Sequence, residues 1–434
     1  MTSSANDHRP QRPRQAGAHP APPAPRVRRP GRASLHTLPP LAVALSALAL
    51  ISCVGAAGRP GAAGQSGGRS PAAPTTDASG SAGSPSAVTS PAALPNLTPA
   101  QKAGQRVIYS YSGLQPPATL LSWIRHGLVG GVIFFGGNIS SPAQIAGVIK
   151  QLDQANASAA NPLRAVPLLL MTDQEGGVVR RLPGRPFASE KQIGEEAHPA
   201  AAAKAAGTGA GQNLAGVGMN VNLAPVLDVY RTAGDFDDQF GRSYSTSPQV
   251  VSALGADFIK AQQATGVAAT AKHFPGLGAA SSTQDTDARP VTLNVGLHAL
   301  RTIDEYPYRA AIAAGVKLVM LSWAVYPALA RSTPAGLSSA VVNGELRDRL
   351  GFRGVTITDA LEAGALQAFG TTGHRATLAA RAGMDLILCS GQRASQGRLA
   401  RSALATALSS GALSASVFDA ALTRVIALRT GLRG

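Results

Sequence analysis

Cysteine, aromatic residues and charge are all scarce in this chain of 434 residues. The two cysteines, Cys53 and Cys389, lie in segments of different character, so the sequence contains no disulfide framework. Aromatic residues make up 4% of the chain, and the core must therefore be built from aliphatic residues and alanine. Charged residues make up 14%, and no Lys/Arg run interleaves with aromatics in the globular part, which argues against nucleic-acid binding.

Acidic residues are scarcer than basic ones. The chain has 23 Asp and Glu against 39 Lys and Arg, for a formal net charge of +16. Residues 1–52 contain seven Arg and one acid, so they contribute +6 and leave +10 for the rest. A basic balance favours anionic partners, such as a wall polymer or a membrane surface.

The first 95 residues resemble a targeting segment followed by a tether. An arginine-rich region precedes an apolar stretch, 38–52, that is too short to span a bilayer. Leu-Ile-Ser-Cys at its end resembles a bacterial lipobox, which implies that 1–52 is a lipoprotein signal peptide and that Cys53 is lipidated. Residues 53–95 are rich in Gly, Ala, Ser and Pro and are typical of a flexible linker. We expect an extracytoplasmic protein held to the membrane by a lipid; an ordinary signal peptide would instead give a secreted one.

From residue 96 onwards, short apolar runs alternate with helical stretches, as buried parallel strands do. The runs are 106–111, 130–135, 166–172, 219–225, 267–274, 316–323, 354–359 and 385–390. Eight such repeats predict an α/β fold, a (β/α)8 TIM barrel forming one catalytic domain over 96–434. The alternative is an open doubly wound sheet, which needs a Gly-rich turn after its first strand. GTGAG (207–211) follows a helical stretch instead, and we interpret it as a local helix break.

Several of these runs end in polar residues. In a barrel, catalytic side chains lie at the carboxyl ends of the strands, where loops from different strands meet. Single polar residues at such positions also serve as caps of the following helix, so one alone indicates little. The set is Asp173, Glu175, Asp228, Lys272, His273, Ser322 and Asp359.

Three motifs carry a family resemblance: DQEGGVVRRLPG (173–184), KHFPGLG (272–278) and GFRGVTITDAL (351–361). They resemble glycoside hydrolase family 3, and most closely the single-domain bacterial β-N-acetylglucosaminidases of cell-wall turnover. The resemblance implies a retaining mechanism with Asp359 as the nucleophile that forms a glycosyl-enzyme intermediate.

The same resemblance implies the residues that hold the terminal sugar. These are Asp173, Arg181, Arg242, Lys272 and His273, whose charged groups suit hydrogen bonds to sugar hydroxyls. No second His or Cys lies at ligand spacing from His273, so we predict no metal and no organic cofactor.

The general acid/base is the point where this sequence departs from the family. Its acetylglucosaminidases commonly carry Asp-Ser-His in the loop after KHFPG, but this chain has Asp285-Thr286-Asp287. Asp287 is the preferred candidate for the acid, with Asp285 beside it to raise its pKa. Alternatively, Asp285 acts alone while Asp287 faces solvent, or the loop has lost its acid. The loop is rich in small residues, and we expect it to close on substrate.

Together these features predict an exo-β-N-acetylglucosaminidase that removes terminal GlcNAc from peptidoglycan fragments. Its partners would be a GlcNAc-containing saccharide or muropeptide and, through the lipid, the membrane. The alternatives are a GlcNAc phosphorylase of the same family, a β-glucosidase, and a catalytically weak lipoprotein that binds wall sugars.

Overall fold

The structure is a computed structural model that describes residues 96–432. The predicted signal peptide (1–52), the linker (53–95) and the lipidation site Cys53 lie outside the described residues, as do residues 433–434. No helix within the described range is both long and apolar enough to cross a membrane.

Eight parallel strands in the described part of the chain form the predicted (β/α)8 barrel. The strands in chain order are β1 Val107–Tyr109, β2 Gly131–Ile133, β3 Leu169–Thr172, β4 Gln174–Gly176, β5 Val179–Arg180, β6 Val221–Asn222, β7 Ala268–Phe274, β8 Leu318–Leu321, β9 Val355–Thr358 and β10 Ile387–Leu388. Strands β4 and β5 form a separate antiparallel hairpin; the other eight pair in the order β10, β1, β2, β3, β6, β7, β8, β9. A parallel bridge between Ile357 and Leu386 joins the two ends of this sheet and closes the barrel. The fold-class prediction is therefore confirmed.

The barrel strands are buried along their whole length, which is why they appear in the sequence as continuous apolar runs. One buried cluster takes side chains from every barrel strand or its immediate flank, so these side chains point inwards and fill the barrel. It includes Ile108, Ile133, Met171, Val221, Ala268, Met320, Ile357 and Leu388.

The helices follow the strands in the alternation that the sequence predicts. They are α1 Pro99–Gly104, α2 Ala118–Arg125, α3 Pro142–Asn156, α4 Glu190–Glu195, α5 Pro199–Ala215, α6 Pro248–Gln263, α7 Leu297–Ala299, α8 Tyr306–Ala313, α9 Thr372–Ala382, α10 Ala394–Ser409 and α11 Ala415–Gly431. Two of them begin with a Ser-Pro pair: the hydroxyls of Ser141 and Ser247 accept backbone hydrogen bonds at the N-cap, and proline occupies the first turn. Two π-helical segments, Leu300–Asp304 and Ala340–Arg349, complete the helical layer.

The interpretation of GTGAG (207–211) as a helix break is wrong. Helix α5 runs through it without interruption, because the glycines allow a close approach to α6. A Cβ on Gly207 would lie 2.3 Å from the carbonyl oxygen of Phe258, and one on Gly211 would lie 2.1 Å from the hydroxyl of Thr265. These glycines serve helix packing, and the packing outweighs their low helix propensity.

Candidate active site

A cavity of about 350 Å³ opens at the carboxyl ends of the barrel strands. It is lined by all eight residues that the sequence analysis assigned to the site: Asp173, Arg181, Arg242, Lys272, His273, Asp285, Asp287 and Asp359. Glu175, Glu362 and Ser390 also line it, together with apolar side chains such as Phe135, Phe236 and Met320. The barrel topology thus brings together residues that are up to 186 positions apart in the chain.

The DQEGG segment forms the β4–β5 hairpin that carries two of these residues. Gly176 and Gly177 both have positive φ, 119° and 53°, so the turn requires glycine. The side chain of Gln174 donates to the carbonyl of Leu182 at 2.9 Å and accepts from its N–H at 3.0 Å, which fixes the return of the chain. Arg181 is thereby held beside the cavity. Its Nε is buried and has no hydrogen-bond partner among the described residues.

A network of alternating charges occupies the closed end of the cavity. Lys272 Nζ lies 2.8 Å from Asp173 Oδ1 and 2.7 Å from Glu175 Oε1. Arg242 donates two hydrogen bonds to the carboxylate of Glu175, from Nε at 2.8 Å and from Nη2 at 3.0 Å. Its Nη1 donates to Asp237 Oδ1 at 2.9 Å. The sequence analysis noted Glu175 only as a strand-end residue and missed Asp237 altogether, because nothing in its local pattern marks it.

This network keeps Glu175 and Lys272 ionised. Burial alone would raise the pKa of Glu175, but Arg242 and Lys272 outweigh it and lower that pKa to about 2. Burial alone would lower the pKa of Lys272, but Asp173 and Glu175 outweigh it and raise that pKa. The closed end of the cavity therefore presents fixed charged donors and acceptors of the kind that bind sugar hydroxyls.

His273 is oriented by Asp228, which the sequence analysis noted at a strand end but did not assign to the site. His273 Nδ1 lies 2.7 Å from Asp228 Oδ2. The other oxygen of Asp228 accepts from the N–H of Leu277 at 2.6 Å, so this carboxylate also fixes the Pro-Gly turn. Since a carboxylate only accepts hydrogen bonds, Nδ1 carries a proton and Nε2 is the nitrogen left for a ligand. Burial opposes the charge on His273, but Asp228 outweighs it and raises the imidazole pKa.

The loop that carries the candidate acids packs against the segment after β9. The N–H of Gly364 donates to the carbonyl of Asp287 at 2.7 Å, and that of Ala365 donates to Thr286 at 3.0 Å. Within the loop, Asp285 Oδ1 accepts from the N–H of Asp287 at 2.8 Å. The loop we expected to close on substrate thus already lies at the cavity, held by backbone hydrogen bonds.

Both aspartates of this loop reach the cavity, but their surroundings differ. Asp285 is half-buried, whereas Asp287 is exposed at the open end. Partial burial and the carboxylates of Asp359 and Asp285 raise the pKa of Asp287 to about 7. Solvent at the rim screens part of this repulsion.

Asp359 follows β9 directly, where the family resemblance predicts the nucleophile. Its Oδ1 accepts from the N–H of Ala360 at 2.7 Å, and the carbonyl of Ala360 accepts from the Trp323 indole at 2.8 Å. The next helical segment is the 3₁₀ turn Gly364–Phe369, and its cap is Ala363 rather than Asp359. Asp359 is therefore not a helix cap, and its half-buried carboxyl group lines the cavity.

Asp228, Asp237 and His273 are the described residues whose potential ligand atoms come close enough to hold a metal, within 4.8 Å of one another. The search for His and Cys spacing in the sequence missed this group, because two of its members are aspartates in the connection between β6 and α6 and the third is in β7. Most of its donor atoms already have partners: both oxygens of Asp228 accept hydrogen bonds, and Asp237 Oδ1 accepts from Arg242. Burial and the charge of Asp228 raise the pKa of Asp237 to about 7. Hydrogen bonds to Asp228 and the guanidinium of Arg242 therefore already occupy most of the ligand atoms of this cluster.

Comparison with known proteins identifies a family and relatives of this chain. The family profile described as the glycosyl hydrolase family 3 N terminal domain matches residues 100–428. An uncharacterized secreted glycosyl hydrolase of Arthroderma benhamiae, a fungus, is 46% identical over 349 residues, which cover 80% of this chain and 97% of that protein. A β-hexosaminidase of Xanthomonas oryzae is 32% identical over 290 residues, which cover 65% of this chain and 82% of that protein.

Solved structures agree with the sequence relatives. A family 3 β-N-acetylglucosaminidase from Paenibacillus superposes with a TM-score of 0.73 and 36% identity, over 78% of this chain and 64% of that one. A β-N-acetylhexosaminidase from Beutenbergia cavernae gives a TM-score of 0.69 and 31% identity, over 77% of this chain and 99% of that one. The chain thus spans less than two thirds of the first protein and nearly all of the second.

The relatives include a fungal protein as well as bacterial ones, so they support the family assignment without supporting the bacterial lipoprotein type. The family match covers most of the chain, and the barrel places the family's motifs around one cavity. The chain therefore belongs to glycosyl hydrolase family 3 and is a glycoside hydrolase.

Proposed function

We propose that the protein is a retaining exo-β-N-acetylglucosaminidase that removes terminal GlcNAc from peptidoglycan fragments. The observation that carries the mechanism is the pairing of two carboxyl groups in one cavity: Asp359 after β9, and Asp287, whose pKa is raised to about 7. A retaining glycosidase needs one carboxylate as nucleophile and one carboxylic acid as proton donor. The names of the Xanthomonas, Paenibacillus and Beutenbergia relatives support the sugar.

The reaction has two displacements at the anomeric carbon. In the first, an oxygen of Asp359 attacks this carbon, and Asp287 gives its proton to the departing glycosidic oxygen. This step leaves a glycosyl ester on Asp359 and an ionised Asp287. In the second, Asp287 takes a proton from water as the water oxygen attacks the same carbon, and the Asp359 carboxylate leaves.

The closed end of the cavity would bind the terminal sugar. The charges of Asp173, Arg242 and Lys272 are already fixed by their mutual ion pairs or by Glu175, so little ordering is needed when hydroxyls bind. The guanidinium group of Arg181 also lines the cavity and adds further donors. A cavity of about 350 Å³ is at the lower end of ligand pockets, which favours one sugar and the start of the next over an extended chain.

The location of the protein is part of the proposal. We propose that Cys53 is lipidated and anchors the enzyme on the outer side of the cytoplasmic membrane, with simple secretion as the alternative. The name of the secreted Arthroderma relative supports an extracytoplasmic location. Expression in the native host with and without Cys53→Ala tests the anchor: the intact protein should partition with membranes, and the variant should be released. Equal release of both would refute lipidation.

Trapping with a fluorinated GlcNAc donor tests the mechanism. The 2-position of GlcNAc holds the acetamide, so a 5-fluoro donor with a good leaving group is the probe. We expect the label on the peptide containing Asp359 and none in Asp359→Asn. A labelled peptide elsewhere would refute the assignment, and binding without any label or turnover would favour the sugar-binding lipoprotein. Faster turnover of an aryl glucoside than of the aryl GlcNAc would favour a β-glucosidase.

A further inference from the structure

The charge of the cavity is opposite to the charge of the chain. The whole chain has a formal net charge of +16. The cavity lining nevertheless contains six carboxyl groups against three Lys or Arg side chains: Asp173, Glu175, Asp285, Asp287, Asp359 and Glu362 against Arg181, Arg242 and Lys272. The net charge of the chain therefore does not describe the pocket.

The carboxyl groups of the lining differ in their pairing. Asp173 and Glu175 form ion pairs at the closed end. In contrast, Asp285, Asp287 and Glu362 have no ion-pair partner within residues 96–432. His273 and Arg375 offset part of the charge on the side of the cavity that these three residues line, but neither forms an ion pair with these carboxyl groups. When Asp287 is protonated as the acid, Glu362 and Asp285 still give this side a negative potential.

Glu362 is the one member of this side that has no place in the proposed reaction, and its carboxylate is held in place. Ser390 Oγ donates to one oxygen at 2.7 Å, and Gln396 Nε2 donates to the other at 2.8 Å. Gln396 is itself fixed, because its Oε1 accepts from the N–H of Gly391 at 2.9 Å. Each oxygen of Glu362 keeps a second lone-pair direction for a ligand.

Glu362 lies at the open end of the cavity, close to the loop with the candidate acid. The backbone hydrogen bonds from Gly364 and Ala365 hold that loop against the segment that begins at Asp359 and contains Glu362. Glu362 and Asp287 are both exposed, whereas Lys272 is buried at the closed end. If the terminal sugar fills the closed end, the leaving sugar must lie beside these exposed carboxylates.

We propose that Glu362 is a specificity-determining residue for the leaving group: it accepts a hydrogen bond from a hydroxyl or ammonium group of the leaving sugar and disfavours a carboxylate there. This inference rests on the proposed function and deepens it. In peptidoglycan fragments the leaving sugar is a muramic acid, whose lactyl carboxyl group is either amide-linked to a peptide and neutral, or free and anionic. The enzyme therefore selects fragments in which this group is amidated.

A series of three disaccharides tests the proposal, each with β-linked GlcNAc as the terminal sugar. The leaving sugar is GlcNAc, glucosamine with a protonated amine, or N-acetylmuramic acid with a free carboxylate. The wild-type kcat/KM should be lowest for the anionic substrate. In Glu362→Gln, the ratio of kcat/KM for the cationic substrate over the anionic one should fall about two- to fivefold, the size expected for an exposed charge pair. Glu195→Gln, an exposed carboxylate outside the cavity, is the matched control and should leave the ratio unchanged.

Two further measurements separate the possible failures. The difference in this ratio between the wild type and Glu362→Gln should shrink as salt is raised, because exposed charges are screened; a merely structural role of Glu362 would leave that difference independent of salt. If Glu362→Gln does not fold, Glu362→Ala removes the same charge and should give the same fall in the ratio. An unchanged ratio in a folded Glu362→Gln, or a wild-type preference for the free carboxylate, would overturn the inference while aryl-GlcNAc hydrolysis persists. If the wild-type protein does not hydrolyse aryl-GlcNAc, the proposed function is overturned, and this inference with it.

Discussion

Replacing Asp287 with asparagine distinguishes a general acid from a neighbouring polar residue. The amide has the size of the acid but no proton to donate, so only substrates that need protonation should suffer. General acids contribute about 10²–10⁴-fold to rate, and we expect Asp287→Asn to lose an amount in this range on a GlcNAc disaccharide. An aryl GlcNAc with a strongly acidic phenol needs no proton, and its first displacement should be nearly unaffected.

The neighbouring carboxylate provides a second test on the same loop. Asp285 is one of the groups that raise the pKa of Asp287 to about 7. The acid works in its protonated form, so wild-type kcat/KM on the disaccharide should fall as the pH rises through about 7. Removing the negative charge in Asp285→Asn lowers the pKa of Asp287, and the fall should then occur at lower pH. On acidic-phenol substrates this variant should resemble the wild type.

The assay is kcat/KM against pH for both variants on both substrates. Asp348→Asn is the control, because Asp348 is an exposed carboxylate that does not line the cavity. Equal, small losses in both loop variants on every substrate would refute an aspartate-based acid. A leaving-group-dependent loss in Asp285→Asn but not in Asp287→Asn would transfer the role to Asp285.

Three other predictions concern the charge network, the helix packing and the acceptor. Glu175→Gln leaves buried Lys272 and half-buried Arg242 without their shared carboxylate and should lower the free energy of unfolding by about 3–5 kcal/mol in denaturant titrations. The pKa of Glu175 is about 2 in the folded protein, below its unfolded value. Its contribution to the free energy of unfolding is therefore present above about pH 4.5 and is lost as the pH falls towards 2. Glu175→Gln should lack this pH dependence. Gly207→Ala should destabilise the protein by about 1–3 kcal/mol, because its methyl group meets the Phe258 carbonyl. Gly147→Ala has open space around it and should stabilise the protein by about 0.5–1 kcal/mol. Equal effects of the two substitutions would contradict the packing argument. In phosphate buffer the product should be free GlcNAc, since the acidic cavity disfavours a phosphate anion; accumulation of the sugar 1-phosphate would instead identify a phosphorylase.

The barrel was predictable because its strands are buried on both faces. Such strands must be continuous apolar runs, and their spacing is visible without any tertiary information. The GTGAG segment was mispredicted for a related reason. Glycine disfavours an isolated helix, and only the neighbouring helix α6, with Phe258 against Gly207, explains why the helix continues there.

The site was predictable to the extent that its residues end strands or lie in family motifs. Asp359, Lys272 and Asp173 follow or end strands, and the barrel brings them to one cavity. Asp237 and Glu362 were missed because each lies in a loop whose local sequence has no distinguishing pattern. Their roles arise from partners that come from other segments of the chain.

By itself, the sequence determined the barrel, the family motifs and the residues that surround the cavity. It also gave a basic net charge, from which we expected anionic partners. Only the tertiary structure decided where the charges lie: the cations at the closed end are paired with carboxylates, and unpaired carboxylates remain at the open end. The physical reason is that Coulomb interactions depend on separation in space and on local solvent, so a sum over the sequence does not give the potential that a substrate meets.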